Sequence, residues 1–370
     1  MQLSHFDLLK PVCPVCRVQG REPNHLVLNV LVEESPNSIV EGILCCPDVA
    51  CRHEFPILDG IPIIVPQLRS LISGWIDRIR ARDSFSEDLE SLLGDCCGSG
   101  SGYDDERQRR SSYTWDHWGE FNPATISASE QGGKPGAIAR LLETGLKLCS
   151  HEFGDKNSPV LDMGCAVGRT TYELANELQK PVLGIDLDLS LLRRAQQIRA
   201  TDRVEYPLRR AGLAYDRHSF AITEHYSDSI KNNIDFWCCD ATALPFNDNL
   251  FSFTSSLNIL DCVHSPLTML QEIERTLMSG GRCLLASPYD WSTSATPTEA
   301  WLGGHSQRSE TAGSPATIIR QSLTAGKHPS SLRSMNIIAA KENVPWQVRL
   351  HERATMRYAC DMLAVEKQTT

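Results

Sequence analysis

The sequence predicts an α/β protein: a Rossmann-like, mostly parallel sheet with helices on both faces, preceded by a small β-rich module. Three observations carry this reading. From Pro159 onward, short apolar runs alternate with helical patterns (PVLDMG, TTYELANELQ, PVLGIDLD, LSLLRRAQQIRA), the order of a parallel sheet with crossovers. The first of these runs ends in an acidic residue and a glycine-rich turn. Ahead of them, residues 1–68 hold paired cysteines among β-branched runs.

Composition narrows the function classes. A chain of 370 residues with 41% hydrophobic and 22% charged content can bury a full core, which suits one large domain with a small appendage. The expected division is residues 1–68, a helical and flexible linker or lid over 69–134, and the main domain over 135–370. No apolar run reaches the roughly 20 residues a bilayer requires, and the start lacks the basic-then-apolar order of a signal peptide. The expectation is a cytoplasmic protein without membrane contact. Its fourteen cysteines then read as metal ligands plus buried thiols. The formal net charge of −10 disfavours a broad phosphate-binding surface and makes a small-molecule partner the default over nucleic acid.

In the first module, Cys13-Pro-Val-Cys16 sets two thiolates on a tight knuckle, and Cys46 and Cys51 form a second pair. Four soft sulfurs suit a structural, tetrahedral Zn²⁺ with no open position for water. Cys45 in place of Cys46, or His53 in place of a thiolate, stays open; the repeated Cys-Pro start favours Cys46. LLKPVCPVCR together with CPDVACRHEFPILDGIPIIVP resembles the small zinc-ribbon activators that partner tRNA and translation-factor methyltransferases. The resemblance implies a stabilising module or one that docks a protein partner.

Between the modules, Ser70 to Leu93 reads as helix and GDCCGSGSGYDDERQRR as linker. Next, Tyr113, His117 and Trp118 gather aromatic and titratable groups that suit a lid over substrate, or a hydrophobic staple.

The cofactor site starts at Asp162, with Gly164, Cys165 and Gly168 in the turn that follows. The spacing is not the G-x-G-x-x-G of a pyrophosphate site, and a carboxylate here suits an ammonium group. S-adenosylmethionine (SAM) carries one, so Asp162 is placed toward its methionine end, directly or through water. Asp186, with Leu187, ends the next strand, where a carboxylate accepts from ribose hydroxyls. Asp240, with Ala241, follows a third strand toward the adenine amino group, and Asn258 ends a fourth beneath the transferred methyl. In order and spacing the set resembles class I SAM-dependent methyltransferases, which implies a seven-stranded sheet, completed here by two strands in WQVRLHERATMRYACDMLAVEK.

Methyl transfer needs alignment and desolvation more than a strong acid or base. SSLNILDCVHSPLTML, SPYDW with TPTEAWLGG, and VPWQVRLHERATMRY resemble the C-terminal methyltransferase domain of ovothiol synthases, which methylates a ring nitrogen of mercaptohistidine. That resemblance implies a small imidazole- or amino-acid-like acceptor, methylated on nitrogen or sulfur. It puts Asp261, Tyr289, Asp290, Trp291 and Trp301 near the acceptor, the first three as catalytic candidates; on the separate lid reading, Tyr113, His117 and Trp118 join them as substrate candidates. Two stretches interrupt the alternation, Ala200–Asn233 and Trp291–Arg333, and both are expected near the active face. Arg209, Arg210 and Arg217 in the first suit a carboxylate or phosphate, or a solvated surface. An RNA methyltransferase is the main alternative, because a zinc ribbon also precedes the class I domain in a bacterial large-subunit rRNA guanine methyltransferase. A non-catalytic scaffold is the third.

Overall fold

The computed structural model describes residues 1–35, 37–80, 85–126, 133–149, 154–155, 157–324, 326–327 and 331–368. Two short helices, α1 (Leu3–Leu9) and α2 (Pro14–Val18), precede an antiparallel meander of β1 (Val27–Ser35), β2 (Ser38–Cys45), β3 (Glu54–Leu58) and β4 (Ile61–Ile64). The Asp59-Gly60 corner between β3 and β4 has both residues at positive φ, as a tight hairpin turn requires. Then come α3 (Leu68–Arg80), α4 (Glu87–Cys97), α5 (Gly102–Trp118), α6 (Pro123–Ile126) and α7 (Ala137–Cys149). Residues 81–84 of the expected Ser70–Leu93 helix lie outside the described residues.

The main sheet follows the predicted alternation: β5 (Val160–Met163), α8 (Arg169–Leu178), β6 (Val182–Asp186), α9 (Leu189–Thr201). After the hairpin β7 (Arg203–Ala211) and β8 (Ala214–Ala221) and the short α10 (Asp228–Asn232) come β9 (Ile234–Cys239), β10 (Phe251–Leu257), α11 (Pro266–Thr276), β11 (Leu277–Ser287), α12 (Pro315–Ser322), β12 (Met335–His351) and β13 (Ala354–Lys367). The strands lie in the order β9-β6-β5-β10-β11-β13-β12, parallel except for β13. These are the seven strands of a class I methyltransferase sheet. Four more extend it, because β4 runs parallel to β9 and carries β3, β2 and β1 beyond it.

Residues next to each other along a strand face opposite sides, and here both sides are covered. Val160, Val182 and Phe236 enter the core under α7, α8 and α9; Leu161, Leu183 and Trp237 enter the core under α11 and α12. That second core also takes in Cys13, Cys16, Cys46, Leu44 and Phe55, so the N-terminal module and the main sheet share one apolar interior.

The expected linker from Gly94 to Arg110 is largely helix instead. Ser101 caps α5, its Oγ accepting from Asp104 N at 3.2 Å. The polar run is buried because the β7–β8 hairpin supplies its partners. Tyr215 donates to Asp104 at 3.1 Å, the Arg107 guanidinium lies 4.0 Å from the Tyr215 ring centroid, and Arg209 N donates to Ser111 at 2.9 Å. Composition reads such a segment as solvated; the long-range partner decides otherwise.

The hairpin itself follows a helix, α9, and so leaves the sheet at the end away from the glycine turn. Its long strands bring the tip back, where Glu352 N in the β12–β13 turn donates to Arg210 O at 3.1 Å. Arg209, Arg210 and Arg217 spend their guanidinium groups within the chain, on Gln108 (2.7 Å), Asp216 (3.4 Å) and Glu90 (2.9 Å) respectively. Among the described residues no helix is long and apolar enough to cross a membrane.

Candidate active site

The cleft lies at the carboxyl ends of β5, β6, β9 and β10, where the strand order reverses on either side of β5 and a parallel α/β sheet opens a crevice. Its floor is the turn from Gly164 to Gly168. Both glycines have φ near the left-handed region, +75° and +88°. A Cβ on Gly164 would collide with Ile259, and one on Gly168 would stand 2.7 Å from Phe236. Gly164 N and Cys165 N both donate to Ile185 O, at 2.8 and 3.0 Å, which ties the turn to β6. Cys165 is fully buried, so its thiol packs beneath the turn.

Asp162 is buried at 2% exposure and accepts from Thr170 (2.7 Å), Thr171 (2.7 Å) and Ser255 (2.6 Å). Burial pushes its pKa up, and the three hydroxyls oppose that. With its oxygens so engaged, Asp162 joins β5 to α8 and β10 and holds the turn in place. Asp186, at the end of β6, accepts from Ala166 N at 3.0 Å on one oxygen and Asp188 N at 2.9 Å on the other. Each oxygen keeps a lone pair for a ligand. Burial raises its pKa to about 6, with the charge of Asp188 adding to the effect.

Leu187 beside it is 45% exposed, an apolar surface at the cleft rim. Across on β9, Asp240 uses Oδ1 for Thr242 N and Oγ1, at 2.8 and 2.7 Å, which leaves Oδ2 without a partner among the described residues; Ala241 is half-buried behind it. Asn258 sits at φ +58° after β10, with Oδ1 accepting from Cys360 at 3.3 Å and Nδ2 buried without a partner. An orphaned buried donor is costly, and here it marks a group awaiting an acceptor. This donor and the carboxylates of Asp186 and Asp240 fit an adenosyl ligand with hydroxyl, amino and carboxylate groups.

Among the residues expected at the chemistry, Asp261 is 2% exposed and holds the loop after β11 by accepting from Asp290 N (2.6 Å) and Ser287 Oγ (3.3 Å). Burial raises its pKa. Tyr289 has φ +57° and donates to Asp361 at 2.7 Å; burial, then Asp361, pushes its hydroxyl upward. The exposed Asp290 accepts from Tyr358 at 3.0 Å. Trp291 and Trp301 stack with centroids 6.0 Å apart, Trp301 Nε1 donates to Thr296 O at 2.8 Å, and Trp291 Nε1 is buried without a partner. Tyr358, Asp361 and Cys360 were not among the expected site residues. They lie on β13, whose sequence reads as an ordinary sheet strand, and only antiparallel pairing with β11 brings them to the cleft.

The lid segment divides. Tyr113, the exposed member of the three, has its hydroxyl pKa raised first by burial and then by the nearby Asp186 and Asp188 charges, which puts it beside the cleft. His117 is 4% exposed, and burial plus Arg169 lowers its pKa to about 3, so it is neutral at ordinary pH. Trp118 departs from the expected substrate contact. It is fully buried, donates to Val167 O at 2.9 Å and meets Tyr172 edge-on at 5.2 Å. It is the staple that locks α5 onto the glycine turn.

At the N-terminal module, the sulfurs of Cys13, Cys16, Cys46 and Cys51 all lie within 4.8 Å of one another. The Cys13–Cys51 and Cys16–Cys46 pairs are 3.7 Å apart, against ~3.8 Å for four sulfurs tetrahedral about zinc at ~2.3 Å. The cluster is compatible with zinc. Cys45, one residue earlier on β2, is not among the four, and His53 Nδ1 lies 3.4 Å from Cys51 Sγ, beside the cluster.

The fold and the layout of the cleft are those of the class I methyltransferase fold. Residues 161–285 match the family model described as a methyltransferase domain. The chain is similar to ajmaline N-methyltransferase of Rauvolfia serpentina, 22% identical over 46% of this chain and 50% of that protein. It is equally similar to the chloroplastic tocopherol O-methyltransferase of Arabidopsis thaliana, 22% identical over 46% of this chain and 42% of that one. It thus spans about half the length of the curated relatives it matches. Among solved structures, phosphoethanolamine N-methyltransferase 2 of Haemonchus contortus in complex with SAM aligns with a TM-score of 0.35 at 15% identity, over 69% of this chain and 57% of that one.

Proposed function

We propose that this chain transfers a methyl group from SAM to a nitrogen, or a sulfur, of a small imidazole- or amino-acid-like molecule, and that zinc holds its N-terminal ribbon together. The observation that carries the cofactor reading is the pair of carboxylates, Asp186 and Asp240, at the ends of neighbouring strands beside the glycine turn. When bound, the sulfonium supplies a methyl activated for in-line displacement. Asp186 would accept from the ribose hydroxyls with its remaining lone pairs and Asp240 from the adenine amino group, while Leu187 covers the adenine face. Asn258 would donate Nδ2 to the ligand above it.

The acceptor class is supported by the SPYDW and WLGG resemblance and by the groups that surround the site. The exposed Asp290, with Tyr358 beside it, favours an acceptor with N–H donors, and the stacked Trp291–Trp301 pair offers a flat apolar wall, while Asp261 and Asp361 are engaged within the chain by Ser287, Asp290 N, Tyr289 and Arg320. An RNA acceptor is less well supported, since the insertion arginines are bonded within the chain and the net charge is −10.

Methyl transfer from labelled SAM to a panel of histidine derivatives, thiols and total RNA tests this: label is expected in a small molecule, and label in RNA alone would overturn the acceptor class. Asp186→Ala should abolish SAM binding and leave the circular dichroism spectrum unchanged; retained affinity would remove the cofactor assignment.

A further inference from the structure

A second cavity, of about 640 Å³, lies away from the cofactor cleft, between the N-terminal module, α3, α4, α5 and the outer face of α9. This size is in the range of sites for drug-sized molecules. Its walls are aromatic and half-buried: Trp75 on α3, Phe85 ahead of α4 and Tyr103 on α5, with Leu93 between them and Ile39 and Leu189 toward the module and α9. Three large rings left half-covered around one space are apolar surface awaiting a partner.

The charges around it are nearly all spoken for. Asp59 pairs with Arg193 at 2.8 Å, Glu90 with Arg217 at 2.9 Å and Asp188 with Arg109 at 3.5 Å. Arg194 donates to Gln197 at 2.6 Å, and Glu106 has a partner too. Arg110 differs: it lines the cavity, forms no ion pair among the described residues, and its Nε is buried without a hydrogen-bond partner. A guanidinium presents planar, paired donors that match a carboxylate.

We propose that this cavity binds an aromatic carboxylate, its ring among Trp75, Phe85 and Tyr103 and its carboxylate on Arg110. The site is distinct from the cofactor cleft, though Asp188 borders both: its side chain lines the cavity while its backbone N–H donates to Asp186 at 2.9 Å. The proposal holds whether or not the cleft binds SAM.

The test is calorimetric titration of the full chain with 1-naphthoate and the neutral 1-naphthamide, in saturating S-adenosylhomocysteine. Naphthoate should bind one-to-one and about tenfold or more tighter than the amide, the usual worth of a charge-assisted pair. Arg110→Gln should erase that preference, and Leu93→Trp, which fills the space, should abolish binding of both probes at an unchanged melting temperature. The second variant carries the test if the first does not fold. The proposal is overturned by absence of saturable naphthoate binding, by equal affinity for the two probes in the unsubstituted protein, by an unchanged preference in Arg110→Gln, or by naphthoate binding that appears only when S-adenosylhomocysteine is left out.

Discussion

If Asp186 accepts both ribose hydroxyls, SAM affinity must follow its ionisation, because a protonated carboxyl has a donor where an acceptor is needed. Its pKa of about 6 comes first from burial at the end of β6 and then from the nearby Asp188 charge. At pH 7 the group is about nine-tenths ionised and at pH 5 about one-tenth, so the affinity should fall about tenfold, or ~1.4 kcal/mol, between the two. A carboxyl at the usual value near ~3.9 would change affinity by under about 10% over that interval. The sign is set by which form binds: affinity nears its full value about one pH unit above 6 and is lost as pH drops through 6, and each binding event near pH 5 releases close to one proton. In the free protein the same raised pKa acts oppositely, favouring the fold below the ordinary carboxyl range and losing that contribution as pH rises through 6.

Titration calorimetry in two buffers of different ionisation heat measures both the affinity and the proton released. Asp116 also titrates near 6, raised by burial against bonds from Ala137 N and Trp346, so the control is Asp186→Asn. That variant should bind weakly at both pH values and show no slope. A flat affinity in the unsubstituted protein, or the same slope in Asp186→Asn, would refute the reasoning.

Cys46→Ser should lower the bound zinc measured by atomic emission well below one per chain, while Cys45→Ser should leave it unchanged; equal loss in both would reassign the ligand set. Trp118→Ala should cost about 3–5 kcal/mol of stability in denaturant unfolding through loss of a fully buried ring. A large rise in acceptor KM at unchanged stability would return that residue to the substrate side.

The strand ends that meet at the cleft were legible in the sequence because they are local. Asp162 lies one residue before the end of β5, Asp186 ends β6, and Asp240 and Asn258 directly follow β9 and β10, each beside an apolar run that is visible, and in a parallel sheet all strand ends on one side meet. The cysteine set was legible for the same reason, as paired knuckles. Elements whose environment comes from far along the chain were not. The polar face of α5 is buried by a hairpin about a hundred residues away, with Gln108 and Arg209 separated by 101 positions. Nothing in GDCCGSGSGYDDERQRR signals that partner. Tyr358 and Asp361 reach the acceptor side through the register of β13, which periodicity leaves undetermined. Trp118 shows the limit from the other direction: its residue type suits a lid or a staple, and its burial favours the staple.

The attachment of the ribbon follows from the same sheet. Without β4, β9 would be an open edge of a parallel sheet, a row of unpaired backbone groups that proteins normally cover. Here Ile63 and Ile64 pair with Cys238 and Cys239, the residues immediately before Asp240. Beyond Asp240 the loop is gripped from two sides. Val12 N donates to Pro245 O at 2.8 Å and Arg17 to Phe246 O at 2.9 Å from the cysteine knuckle, while Arg275 on α11 donates to Phe246 O at 2.7 Å and Glu272 accepts from Leu244 N at 2.7 Å. The N-terminal ammonium and Gln2 add bonds to Ile39, Asp235 and Ile234. A chain cut after residue 68 would therefore lose an edge strand, part of a shared core and one side of the grip on the Asp240 loop at once. The cysteine cluster thus stands only a few bonds from the carboxylate proposed to meet the cofactor.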